Sequence, residues 1–213
     1  MSVNIFHRDC MEAMAEMKDK SFDLAIVDPP YGIGASFGVG GTRGKEGINY
    51  TKKDWDLQRP KKDYFMELDR VSKNQIVFGG NYFADLLIPS RGWVYWRKEM
   101  GGNYADGELA WTSFDVNLKE FTKRSESFFR IHPTQKPVKL YEWLLKNYAK
   151  PGDKILDTHG GSCSIAIACY NLDFDLTCFE IDAEYHGKAV QRLEEHRKQG
   201  RLFEAVGCSP AEI

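Results

Sequence analysis

Phe22-Asp23-Leu24-Ala25-Ile26-Val27-Asp28-Pro29-Pro30-Tyr31 carries the chain from an apolar run into a carboxylate, two prolines and an aromatic ring. Six residues rich in branched apolar side chains read as a buried strand. The two prolines fix φ and remove two backbone donors, so the strand ends there and its last carbonyls are held in place. Asp28 and the Pro29 carbonyl then form a rigid pair of acceptors beside the ring of Tyr31. Two acceptors and a π-face suit a planar ring that carries an exocyclic NH₂ group. A plain strand-end turn with an exposed tyrosine has the same four letters, so the rest of the chain must decide.

Working outward, strands and helices alternate, which indicates an α/β fold. Strands are expected at Val3–Phe6, Phe22–Val27, Gln75–Phe78, Gly92–Trp96, Glu108–Phe114, Lys154–Leu156 and Leu176–Ile181. Helices are expected at Met11–Met17, Pro60–Val71, Tyr82–Leu87, Pro137–Tyr148, from about Ser164, and at Ala183–Lys198. Residues 115–130 are polar and read as irregular. Residues 32–59 contain seven glycines and little apolar periodicity, and read as a long mobile, basic loop. Gly44-Lys45 within it is not a phosphate loop, because Glu46 stands where Ser or Thr is needed. With 213 residues and no internal repeat, the chain reads as a single domain spanning 1–213.

The net charge of −2 is unevenly spread. Residues 40–62 hold seven Lys/Arg against three Asp/Glu, and residues 117–139 hold six against two, whereas residues 151–213 hold six against eleven. Two basic middle segments suggest one face that meets a polyanion. Five cysteines without a C-x-x-C pair argue against a disulfide framework, and the five histidines form no metal-binding pattern. No metal is therefore expected. Neither a membrane-spanning stretch nor a basic-then-apolar leader is visible, so the reading is cytoplasmic.

Asp157-Thr158-His159-Gly160-Gly161-Ser162-Cys163-Ser164 joins a strand to an apolar helix through a glycine-rich turn. Such turns bring backbone close to ligands at the carboxyl edge of an α/β sheet. The next strand, Leu176-Thr177-Cys178-Phe179-Glu180, ends in an acid placed to accept ribose hydroxyls. The absence of G-x-G-x-x-G spacing argues against a nicotinamide dehydrogenase. His132-Pro133-Thr134-Gln135-Lys136-Pro137, bracketed by prolines, reads as a rigid loop that presents polar side chains.

In this order, Asp28–Tyr31, His132–Pro137 and Asp157–Ser164 resemble the permuted β group of amino DNA methyltransferases that use S-adenosylmethionine. The resemblance implies a Rossmann-like class I methyltransferase fold with a mostly parallel, doubly wound sheet and a circularly permuted motif order. It implies that Asp28, Pro29, Pro30 and Tyr31 are catalytic. It places Asp157, Gly160 and Ser162, with His159 and Gly161 in the same loop, at the methionine end of the cofactor. His132 and Lys136 would hold the cofactor's carboxylate, Glu180 its ribose, and Asp9-Cys10 would lie near its adenine. Residues 99–131 would form a short target-recognition region. Double-stranded DNA is the implied partner, with Arg43, Lys45, Lys52 and Lys53 expected on phosphates; a homodimer is admitted. Two letters depart from the family loop: His159 replaces an aromatic, and Cys163 replaces the second glycine. Asp before Pro-Pro-Tyr favours N6 of adenine over N4 of cytosine. An RNA or small-molecule amine, or a non-catalytic binding protein, is the remaining alternative.

Overall fold

The computed structural model describes residues 1–34, 53, 56–99, 105–124 and 130–205. In chain order the elements are β1 (Val3–His7), α1 (Cys10–Ala15), β2 (Phe22–Val27), α2 (Lys62–Val71), β3 (Ser72–Phe78), β4 (Trp93–Arg97), β5 (Gly107–Thr112), β6 (Lys119–Thr122), α3 (Val138–Tyr148), β7 (Lys154–Asp157), α4 (Ser164–Leu172), β8 (Asp175–Glu180) and α5 (Ala183–Ala205). The described strands form one sheet in the order β1-β8-β7-β2-β3-β5-β4-β6. All pairs are parallel except those of β5, which runs antiparallel to both β3 and β4. This is the Rossmann-like, mostly parallel sheet that the sequence led us to expect.

The apolar run of β2 is continuous because both faces of the sheet are covered. Successive residues point to opposite faces. Leu24 and Ile26 pack with Leu140, Leu144 and Ile165 of α3 and α4, whereas Ala25 and Val27 pack with Met14, Leu68 and Val71 of α1 and α2. Helices thus sandwich the sheet, and β2 and β7 lie side by side at its centre, with Leu24 opposite Ile155 and Ala25 opposite Leu156. From β7 the chain crosses to β8 on one side; from β2 it crosses to β3 on the other. Their shared carboxyl end is therefore a topological switch point, where α/β proteins place ligands.

Two expected elements differ. Residues 115–130 include the strand β6, which among the described strands pairs only with β4, at the sheet edge. An edge strand draws its order from one neighbour, so the local pattern Lys-Glu-Phe-Thr gives little warning. Tyr82–Leu87 is not a helix: a single 3-10 turn covers Gly80–Tyr82, and then Leu86 and Leu87 donate back to the Phe83 carbonyl at 2.8 and 3.0 Å. Six residues are too few to nucleate a helix without support, and Pro89 disfavours helical backbone at Ile88.

Most of loop 32–59 lies outside the described residues, and so do Arg43, Lys45 and Lys52. Its described ends are pinned. Asp56 accepts the Gly32 N–H at 2.9 Å, and Arg59 makes a two-pronged pair with Asp85 at 2.7 and 2.6 Å. Within 99–131, the described residues supply β5 and β6 to the main sheet. No described helix is long and apolar enough to cross a membrane, and the described residues contain no cluster able to hold a metal ion.

Candidate active site

A cavity of about 930 Å³ opens at the carboxyl end of the central strands. It is lined by Asp28, Pro29, Pro30 and Tyr31 after β2, by His159, Gly160, Gly161 and Ser162 after β7, and by Glu180 at the end of β8. Asp9 and Cys10 after β1, and His132 and Lys136 before α3, complete the wall. Segments far apart in sequence meet here because each follows a strand of the same direction. Asp157 is the exception among the expected residues. It is buried beneath the turn and accepts the His159 backbone N–H at 3.0 Å. Burial raises its pKa to about 7.

The glycine turn is held mainly by backbone. Gly160 N–H donates to the Phe179 carbonyl at 2.8 Å, and Cys163 N–H to the Gly160 carbonyl at 2.7 Å. Glu180 accepts the Gly161 N–H at 2.6 Å on one oxygen and the Asp182 N–H at 2.7 Å on the other. A carboxylate offers about four acceptor positions, so two remain for a ligand. Burial raises the Glu180 pKa, against the lowering effect of these donors. A Cβ at Gly160 would stand 2.6 Å from Cys163 Sγ and 2.8 Å from Cys178 Sγ, so only glycine fits. Arg192 of α5, which sequence reading did not single out, braces the same turn through the Ser162 carbonyl and Ser164 Oγ, both at 2.9 Å.

Several side chains are arranged otherwise than their expected roles suggest. Asp9 caps α1, accepting the Met11 and Glu12 N–H groups at 2.8 and 3.0 Å, and burial pushes the neighbouring Cys10 thiol up to about 12. His132 packs edge-on against Tyr185 with ring centroids 4.3 Å apart. Burial, then Lys136, lowers its pKa to about 3, so the ring is neutral and brings no charge to a carboxylate. His159, lowered to about 4 by burial, lies 2.9 Å from Thr158 Oγ1 and packs against Tyr64. Lys53, expected on DNA, pairs with Asp182 at 2.5 Å and Glu184 at 2.9 Å and lies 4.5 Å over the Tyr185 ring.

Asp28 has one neutral and one charged partner. Tyr31 Oη donates to Asp28 Oδ1 at 2.7 Å, and Lys136 Nζ donates to Asp28 Oδ2. Lys136 is also 3.3 Å from Glu108 Oε2 on β5, and Glu108 Oε1 pairs with Lys98. The Tyr31 ring stacks on Tyr82 with centroids 4.8 Å apart and planes 15° apart. Gly79, at φ +67°, lets it approach, since a Cβ there would be 2.2 Å from Tyr31 Cε1. Glu108, Lys98 and Tyr82 were not foreseen. The one available signal was an acid at the start of an apolar run, which says nothing about where the strand is placed.

Comparison with known proteins agrees with this geometry. A family model described as DNA methylase matches residues 91–191. The type II methyltransferase M.HpaI of Haemophilus parainfluenzae is 23% identical, covering 91% of this chain and 75% of its own. The type II methyltransferase M2.DpnII of Streptococcus pneumoniae is also 23% identical, over 89% of each chain. The fold is shared with M1.HpyAVI, solved as a SAM complex, at TM-score 0.62 and 20% identity over 89% of this chain and 99% of that one. It is shared too with the cytosine-N4-specific PvuII DNA methyltransferase, at TM-score 0.63 and 14% identity over 93% and 91%. Over most of its length the chain is thus similar to type II DNA methyltransferases, and it shares the fold of solved DNA methyltransferases.

Proposed function

We propose that this chain transfers a methyl group from S-adenosylmethionine to the N6 amine of adenine in double-stranded DNA. The observation that carries the reading is the meeting of Asp28-Pro29-Pro30 with the glycine turn and Glu180 on one cavity wall. The donor set suits the cofactor. The cavity is of ligand size, and Glu180 keeps two acceptor positions for ribose hydroxyls. Gly160, Gly161 and Ser162 would lie along its methionine end, with Asp157 beneath them, and Asp9-Cys10 near its adenine.

When bound, S-adenosylmethionine supplies an electrophilic sulfonium methyl. The protein's own task is to make a poor nucleophile attack it. An aryl amine delocalises its lone pair into the ring. Asp28 and the Pro29 carbonyl accept its two N–H bonds, which draws the nitrogen toward tetrahedral geometry and turns the lone pair outward. Catalysis is then positioning and electrostatics. Asp28 need not be a strong base, because the surplus proton can leave after transfer. The target must first leave the duplex, at a cost of about a few kcal/mol. Tyr31 and Tyr82, which both line the cavity, offer aromatic surface against which an extruded base can stack.

Labelled cofactor, DNA and digestion to nucleosides test the reading. Label in N6-methyladenine is expected. Label in N4-methylcytosine overturns the choice of base, and label in neither overturns methyl transfer to DNA.

A further inference from the structure

Lys136 is only 3% exposed in its side chain, yet it sits on the catalytic turn rather than among the backbone donors of the glycine loop. Its ammonium touches Asp28 Oδ2, lies 3.3 Å from Glu108 Oε2, and faces the Phe78 ring at 4.6 Å. Glu108 is fixed in turn by Lys98, whose ammonium also lies 5.0 Å from the Trp96 ring. Asp28, Glu108, Lys136 and Lys98 therefore make a chain of alternating charges that sums to zero. A cofactor carboxylate on Lys136 would be a third negative charge on an ammonium that already faces two carboxylates, and Lys136 itself is buried. Burial alone would lower the Lys136 pKa, but the two carboxylates overcome it and raise the pKa, so the charge persists.

Resting on the methyl-transfer reading above, we infer that Lys136, held by Glu108, is a positioning residue for Asp28 and not a ligand of the cofactor carboxylate. Tyr31 Oη fixes one Asp28 oxygen and Lys136 the other, which sets the plane of the carboxylate. The acceptor positions left on Asp28 then point where an incoming amine must place its hydrogens. Glu108 Oε2, 3.3 Å from the same ammonium, supplies a second negative charge that orients Lys136 beside Asp28. A residue on β5, inside the segment 99–131, would thus support catalysis rather than read sequence.

The test pairs two measurements on Lys136→Met, Lys136→Arg and Glu108→Gln. One is the affinity for S-adenosylmethionine by calorimetry; the other is the single-turnover transfer rate into DNA at saturating cofactor. Lys136→Met should slow transfer by about 100-fold, the loss expected from misplacing a reacting group, and leave affinity within about twofold. Lys136→Arg should recover most of that rate, because it keeps the charge. Glu108→Gln, nearly isosteric, should slow transfer by about tenfold at unchanged affinity. Weakened affinity with an unchanged saturated rate in the Lys136 variants overturns the assignment. An unchanged rate in Glu108→Gln also overturns it, even if Lys136→Met fails to fold. A wild-type protein that labels no DNA base overturns the methyl-transfer reading itself. Those outcomes remain distinct from a wild type that transfers while the variants contradict the assignment.

Discussion

The two halves of the cavity are held by different forces. On the cofactor side, main-chain N–H groups tie the turn to a segment about twenty residues on, Gly160 to the Phe179 carbonyl and Gly161 to the Glu180 carboxylate. On the target side, Asp28 is held by a lysine 108 positions away, which is shared with a glutamate on a third segment. A main-chain lattice depends little on which side chains it carries. A network of partly buried charges around one buried ammonium weakens when one member is removed, because the remainder is left uncompensated. Apart from Gly160 and the acids Asp157 and Glu180, the cofactor side should therefore tolerate substitution better than the target side.

Asp28→Ala should show the largest effect. Transfer should fall by about 10³-fold or more, as when a preorganised electrostatic partner of a reacting group is lost. Cofactor affinity should change little, since the glycine turn and Glu180 hold one another through main-chain donors that do not involve Asp28. Calorimetry and a transfer assay on the same preparation separate the two. A loss of affinity as large as that of Asp157→Ala would join the halves and end the comparison.

The sheet and the cofactor side were legible because their signals are local. Apolar runs ending in Asp28, Asp157 and Glu180, with glycines after one of them, already specify strands that deliver acids to one edge. The partners of Asp28 were not legible. Lys136 could be seen to need a carboxylate, but the family resemblance pointed to the cofactor's, whereas the fold supplies two of its own. Glu108 was invisible because only the antiparallel placement of β5 beside β3 brings it to the cavity. Lys53 reads as a phosphate contact in a basic loop, and its pairing with Asp182 and Glu184 could be seen only in the fold.

Asp157 is the more deeply buried of the cofactor side's two acids, and its effect should be intermediate. Its pKa rises from 3.8 in the unfolded chain to about 7 when folded. Between those values the native state binds more protons than the unfolded one, so this group's contribution to stability falls as pH rises from about 4 to about 7. Above that range the folded protein carries the full penalty of a buried carboxylate. Asp157→Asn mimics the neutral form and can still accept the His159 N–H. It should match wild type in stability near pH 4 and exceed it at pH 8. The excess should reach a few kcal/mol, because each tenfold change in proton affinity is worth about 1.4 kcal/mol. Denaturant titrations of both proteins at the two pH values give the difference. A gap that does not widen with pH would mean that the carboxylate is compensated, which makes the halves more alike.

The smallest effect should come from Cys163→Gly. Cys163 departs from the family loop and occupies left-handed backbone, φ 48° and ψ 40°, where a side chain costs about 1–2 kcal/mol. Glycine removes that strain but loses about 0.5–1 kcal/mol through its greater freedom in the unfolded chain. It also loses the buried thiol packed 3.5 Å from Cys178 Sγ, worth about 1 kcal/mol for a group of that size. These contributions nearly cancel, so stability should move by about 1 kcal/mol or less. Cofactor affinity should stay within about twofold, because the turn's bonds from Gly160, Gly161 and Cys163 all use backbone N–H groups that the substitution keeps. Calorimetry and urea unfolding measure the two effects. A tenfold loss of affinity would show that the Cys163–Cys178 wedge shapes the turn, and side-chain packing would then hold the cofactor side as charge holds the target side.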